Sequence, residues 1–232
     1  MINQVTFKKI KFNNFKISNF KTIISKKGYF VFPAAPALAS IKSSKNYYKA
    51  LLKADAVFFD SGFFVILLKI FKGINVDKFS GFKFLNLFFD YIKNDNKKSI
   101  LCIDPNKIHS DANKNFLKKL GVKKIDSYIA PNYILNDIKD KRLLKKIKKI
   151  KPDFIITNIG GGIQEILGMY ISNKINKKSL IICTGGAIAF FTGKQAPINF
   201  LIDKFYLGWF IRLIFNPIIF SKRYIKALEL LS

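Results

Sequence analysis

The sequence predicts an α/β fold, a Rossmann-like parallel sheet flanked by helices, with a C-terminal helical membrane-docking appendage. Three observations carry that expectation. Short apolar runs alternate with helical patterns through most of the chain, the sequence form of a parallel sheet with helices on both faces. Two of those runs end in glycine loops, Gly160-Gly161-Gly162 and Gly185-Gly186, and such sheets bind ligands outside the carboxyl ends of their strands. The stretch 199–231 sets aromatic and aliphatic residues around isolated cations, a composition suited to a membrane interface. The expected division is 1–198 for the sheet domain and 199–232 for the appendage.

The elements follow in order along the chain. Residues 29–32 form an aromatic and β-branched run, read as a strand that Pro33 and Pro36 end. Residues 37–53 have helical spacing and pack Leu38, Ile41, Tyr48, Leu51 and Leu52. A second strand, 56–59, closes on Asp60-Ser61-Gly62. Helices are expected at 63–71 and 82–93, and a strand at 99–103 turns at Asp104-Pro105-Asn106. A helix at 110–120 is stopped by Gly121. Residues 125–129 read as a strand, and 135–150 as a Lys-rich helix with Leu143, Leu144, Ile147 and Ile150 on one face. Past Pro152, a strand (154–158), a glycine loop and a helix (164–171) form one unit. A strand (180–183), Gly185-Gly186 and a helix (187–191) repeat it.

A chain of 232 residues holds one domain with a full core, or one domain and a small appendage. A hydrophobic content of 50% excludes disorder. The formal net charge of +27 has two readings. One is a polyanionic partner such as nucleic acid, an anionic bilayer or a phosphorylated substrate. The other is the Lys-, Asn-, Ile- and Phe-rich usage of an AT-rich genome. Under either, each Lys or Arg near an anionic bilayer adds roughly 1 kcal/mol of attraction. The basic residues are spread along the chain without a nucleic-acid docking module, so no specific nucleic-acid partner is expected. Cys102 and Cys183 sit in apolar runs and read as buried thiols of a reducing compartment. One His and two distant Cys make no zinc site. The first residues lack a signal peptide's apolar core, and no apolar run reaches the ~18–20 residues of a bilayer span. The expectation is a cytoplasmic protein, peripheral on the inner face of the cell membrane.

Several residues could carry chemistry. Glycine loops between strand and helix let backbone N–H groups approach phosphate oxygens, with the helix N-terminus adding its dipole. Glycines also simply permit tight turns, but two adjacent loops in one sheet favour an anion site. Gln164-Glu165 opens the helix after the first loop. Glu165 could accept hydrogen bonds from ribose hydroxyls; taken alone, it reads as dipole compensation. Asp60, at the end of a strongly apolar strand, is a turn former or a general base. Asp104 reads as turn chemistry and Asp153 as structural, and composition does not separate the three. Arginine is scarce in this chain, yet Arg212 and Arg223 fall in the aromatic tail. The planar guanidinium grips phosphate better than an ammonium does, which hints at phosphate recognition beside a lipid surface.

From 152 to 231 the chain resembles the WecG/TagA/CpsF glycosyltransferases, glycosyltransferase family 26. The family's proline–aspartate strand and Gly-x-Pro-x-Gln-Glu loop correspond to Pro152-Asp153-Phe154 and to Gly160-Gly161-Gly162-Ile163-Gln164-Glu165, with Gly162 at the family's proline. Gly185-Gly186-Ala187 and Gly193-Lys194-Gln195-Ala196-Pro197 match its next two segments, with Gln195 where an arginine is usual. Leu207-Gly208-Trp209-Phe210-Ile211-Arg212-Leu213, Asn216-Pro217 and Arg223-Tyr224 match its closing blocks, with Gly208 at the acid before the Trp. Upstream, Ala54-Asp55 through Asp60-Ser61-Gly62 resembles the family's Asp-Gly segment with one serine inserted. Lys78-Phe79-Ser80-Gly81 resembles its Lys/Arg-Val-x-Gly loop. Phe32-Pro33-Ala34-Ala35 stands at its Thr-x-Asn-Pro segment without the polar side chains.

The resemblance implies a metal-independent, inverting hexosyltransferase that needs no cofactor. Its donor would be a UDP-sugar, N-acetylmannosamine-like or a related hexose. Its acceptor would be a glycan on polyprenyl diphosphate, used for cell-surface polysaccharide. Asp60 falls on the family's proposed catalytic base. Gly160, Gly161, Gly162, Gln164, Glu165, Gly185 and Gly186 would hold the donor, and Arg212 and Arg223 the acceptor diphosphate. An anionic membrane surface is the third partner, and association into a homo-oligomer stays open. The alternatives are an NAD-type dinucleotide-binding oxidoreductase, whose glycines come early in the chain and not late as here, and a catalytically inactive relative.

Overall fold

A computed structural model of the chain describes residues 3–93, 95, 97–135, 138–194, 210, 213–214 and 217–231. The strands are β1 (Asn3–Phe7), β2 (Ile10–Asn14), β3 (Gly28–Val31), β4 (Ala56–Phe58), β5 (Ser99–Asp104), β6 (Lys124–Ile129), β7 (Phe154–Thr157) and β8 (Leu180–Cys183). They form one eight-stranded sheet in the order β1-β2-β4-β3-β8-β7-β5-β6. Every pairing is parallel except β1 with β2, an antiparallel hairpin turned through Lys8 and Lys9. The expected parallel sheet is therefore a mixed one, with an antiparallel strand at one edge.

The central strands read as continuous apolar runs because both sheet faces are covered. Alternate side chains go to opposite faces. Tyr29, Val31, Val57, Leu101, Ile103, Ile155, Ile181 and Cys183 enter one core. It is covered by α3 (Lys45–Leu52), α4 (Gly62–Lys72), α7 (Lys141–Ile150) and α8 (Ile163–Lys174). Phe30, Phe32, Phe58, Cys102, Phe154, Ile156, Leu180 and Ile182 enter the other. That side is covered by α1 (Phe20–Ile24), α5 (Gly81–Ile92), α6 (Lys107–Lys119) and α9 (Ile188–Phe191). Phe32 stacks on Phe58 at a centroid distance of 4.6 Å, and Phe88 meets Phe154 edge-on at 4.9 Å. Cys102 and Cys183 are both free and buried.

Two expected helices differ from those found. The helix expected at 37–53 is split: α2 (Ala35–Leu38) runs into a 3₁₀ turn at Ala39–Ile41, and α3 restarts where the Ser44 hydroxyl caps Tyr47 N–H. The helix expected at 135–150 begins only at Lys141. Its cap is Asp140, which accepts from Leu143 N–H at 2.8 Å, Tyr128 OH at 2.8 Å and Tyr133 OH at 2.7 Å. Those three hydrogen bonds tie the loop at 130–135 to the sheet. Asp153 is structural, as expected: it accepts from Ser99 N–H at 2.9 Å and from Ser99 Oγ–H at 3.0 Å. Burial pushes its carboxyl up, but those bonds with Lys98 and Lys27 hold it below the usual range.

Of the tail, α10 (Pro217–Leu228) packs on α2, burying Ala227, with Tyr224 5.2 Å from the Phe63 ring. Leu230 follows it into the core. Its opposite side is bare, with Ile218 73% and Ile225 67% exposed. No helix among the described residues is long and apolar enough to cross a membrane.

Candidate active site

The glycine loops lie side by side at the carboxyl ends of β7 and β8. Each needs one residue in the left-handed region, Gly162 at φ +90° and Gly185 at φ +60°, where a Cβ would be strained. Gly160 and Gly161 are exposed, and a Cβ on Gly160 would meet nothing within 4 Å. Among the described residues, no acceptor pairs with the N–H of either one. Those two amides and the α8 N-terminus are the groups with which a loop of this kind can hold an anion.

Gln164 and Glu165 have work inside the protein. Both are buried, at 2% and 0% exposure. Gly185 N–H donates to Gln164 Oε1 at 2.6 Å, and Thr157 Oγ1 donates to the same oxygen at 3.3 Å. Gln164 Nε2 donates to Glu165 Oε1 at 3.2 Å, and Gly162 N–H donates to the other carboxylate oxygen at 2.6 Å. One unbroken chain of hydrogen bonds thus runs from the second glycine loop to the first. The bond from Gly162 is the backward half of a capping box, here without a side chain on the cap itself. Burial raises the Glu165 carboxyl to about 7, against the bonds from the backbone and Gln164, and the negative charge of Asp60 adds to the rise.

Asp60 lies just beyond β4, half-buried. Its Oδ1 accepts from Gly81 N–H, the first amide of α5, at 2.7 Å. The next residue, Ser61, caps α4 by accepting from Phe64 N–H at 3.3 Å. The carboxylate is therefore fixed between two helix starts. A Cβ on Gly81 would come within 3.1 Å of the Thr184 side chain, so α5 sits tight against the end of β8. Asp60, the two loops and the Gln164–Glu165 link all lie along the carboxyl edge of the sheet, with the end of β3 between Asp60 and the second loop.

A profile of the glycosyl transferase WecG/TagA/CpsF family matches residues 2–231, essentially the whole chain. The chain belongs to that family. No curated protein matches it. As a WecG/TagA/CpsF glycosyltransferase it acts on a sugar donor and an acceptor, which sets aside the oxidoreductase alternative.

The structure brings Asp60, Gly160, Gly161, Gly162, Gln164, Glu165, Gly185 and Gly186 together. Arg212 lies outside the described residues. Arg223 is carried on α10, its side chain likewise outside the description. Asp104, read as turn chemistry from its neighbour Pro105, is instead completely buried. Its Oδ1 accepts from Asn113 Nδ2 and from Asn158 Nδ2, each at 2.7 Å. Burial raises its carboxyl, against the bonds from Asn158 and Asn113 and the favourable influence of the nearby Ser110 and His109. The available signal was Asn158 itself, a polar residue closing an apolar strand two positions before the glycine loop.

Proposed function

We propose that this glycosyltransferase moves an N-acetylmannosamine-like or related hexose from a UDP-sugar to a glycan on polyprenyl diphosphate, without a metal ion and with inversion. The observation that carries the reading is the carboxylate of Asp60, anchored by the Gly81 amide beside two linked glycine loops. The acceptor hydroxyl attacks the anomeric carbon while Asp60 takes its proton. The bond from that carbon to the donor phosphate oxygen breaks, and the electron pair leaves with UDP. Gly160 and Gly161 N–H groups and the α8 N-terminus stabilise the negative charge that builds on the leaving diphosphate. A single in-line displacement inverts the anomeric centre. Gln164 and Glu165 serve by holding the loops in register.

Residues 199–232 form a docking appendage on this reading. The bare side of α10, Ile218 and Ile225 beside Lys222 and Lys226, meets the anionic inner face of the cell membrane. Arg212 and Arg223 grip the acceptor's diphosphate. The test is a mass-spectrometric transfer assay of a UDP-sugar panel against polyprenyl-diphosphate acceptors. Product with an inverted linkage, formed in the presence of a chelator, is expected. Transfer only from non-nucleotide donors, or retention at the anomeric carbon, overturns it.

A further inference from the structure

The donor site just described leaves a second polar group without a task. One residue beyond the register pairs Ile103–Thr157 and Thr157–Cys183, the residues Asp104, Asn158 and Thr184 form a row across the ends of β5, β7 and β8. They share the sheet face of Cys102, Ile156 and Ile182, the face covered by α5, α6 and α9. Asn113 joins the row from α6. Asp104 Oδ2, Asn113 Oδ1, Asn158 Oδ1 and Thr184 Oγ1 are all buried, and none has a hydrogen-bond partner among the described residues. Three of the four can only accept, and the hydroxyl can. Buried acceptors are rarely left empty-handed, so an ordered water or the donor groups of a ligand must answer them.

Position decides between the two. The helix after β5 lies on one face of the sheet and the helix after β7 on the other, so the crevice of a doubly wound sheet opens between these neighbours. Distance agrees. Four strand steps, β4 to β3 to β8 to β7 to β5, separate the strand before Asp60 from the strand of Asp104. At about 4.8 Å a step that is roughly 19 Å, the reach of an extended nucleoside diphosphate sugar. The glycine loops end β7 and β8, between the two aspartates. A donor laid along this edge puts its sugar at Asp60, its diphosphate at the loops and its nucleoside at Asp104. Phosphate cannot occupy the Asp104 end, because a cluster of acceptor oxygens repels an anion. A diol, with two adjacent O–H donors, suits it.

We propose that Asp104, Asn113, Asn158 and Thr184 form a subsite that accepts hydrogen bonds from the vicinal hydroxyls of the donor's ribose and so sets the direction of the donor across the sheet. This rests on the nucleotide-sugar reading above. The transferred hexose carries similar hydroxyls, and the test separates the two.

Isothermal titration of the full chain compares UDP, 2′,3′-dideoxy-UDP and a UDP-hexose. Loss of the ribose hydroxyls should weaken binding to the wild type roughly 10- to 100-fold. In Asp104→Asn, UDP and its dideoxy form should bind alike. Asn158→Ser, a smaller change to the same row, should narrow the gap and serves if the first variant does not fold. Equal binding of UDP and dideoxy-UDP by the wild type means that the row holds ordered water only, and overturns the subsite while leaving the nucleotide reading intact. A gap that survives both variants puts the hydroxyl contacts elsewhere and also overturns it. So does a UDP-hexose advantage over UDP that Asp104→Asn removes while the ribose hydroxyls count for nothing. Failure of the wild type to bind any of the three takes down the nucleotide reading, and the subsite with it.

Discussion

Replacing Glu165 by glutamine removes a titration from the middle of the loop network. Burial holds the folded carboxyl at about 7, against an ordinary value of 4.5. That difference corresponds to about 3 kcal/mol of linkage between proton binding and folding. The folded chain keeps its proton to higher pH than the unfolded chain. The stabilisation is therefore full below about pH 4.5 and is lost as pH rises toward 7. The amide of the variant would not titrate. It would turn one oxygen into an N–H₂ group facing Gln164 Nε2, a loss of ~1–3 kcal/mol that is the same at every pH. Urea unfolding of wild type and Glu165→Gln between pH 4.5 and 8 separates the two effects, because titrating groups not coupled to Glu165 cancel in the difference and the coupling to Asp60 is the smallest of the causes. The variant should be the less stable at the acid end and should recover about 3 kcal/mol relative to wild type by pH 8. Parallel stability curves would refute the assignment of a raised carboxyl at this position.

Asp60→Asn should cut turnover by roughly 10²–10⁴ with little change in UDP affinity, since an amide oxygen can still accept from Gly81 N–H; near-wild-type rates in the transfer assay sink the base assignment. Gln164→Leu should weaken UDP binding on the order of tenfold in calorimetry by releasing Gly185 N–H from the link, and unchanged affinity would detach the second loop from the donor site. Glutamate at both Ile218 and Ile225 should abolish flotation with anionic liposomes, as each inserted side chain contributes about 1.5–3 kcal/mol; an unchanged unfolding midpoint shows that the fold is intact, and undiminished flotation removes α10 from the membrane contact. Arg212→Ala and Arg223→Ala should impair transfer to a diphosphate-linked acceptor and spare UDP binding, and normal transfer by both removes the acceptor clamp.

The central sheet was legible because its strands are buried on both faces and so appear as uninterrupted apolar runs, 99–103, 154–158 and 180–183 above all. The hairpin β1–β2 was not, because its residues alternate with lysine and asparagine at a sheet edge and resemble a surface segment. The break at 39–44 was hidden for another reason: the apolar spacing continues through it, and only the Ser44 cap marks the restart. At the site, the glycines announced themselves through composition. The roles of Gln164 and Glu165 did not, since a side chain that faces inward to tie two loops has the same letters as one that faces a ligand. Asp104 was misread because Asp-Pro is a turn signal locally, whereas its partners Asn113 and Asn158 lie 9 and 54 residues away.

The hydrogen-bonded path from Gly185 through Gln164 and Glu165 to Gly162 has a kinetic consequence. Two loops joined through adjacent side chains should open as one unit, and on the proposed donor site product departure from either would require both to yield. The amide protons of Gly162 and Gly185, 23 positions apart in sequence, should exchange with solvent through a common opening event. Bound nucleotide should slow them in equal proportion.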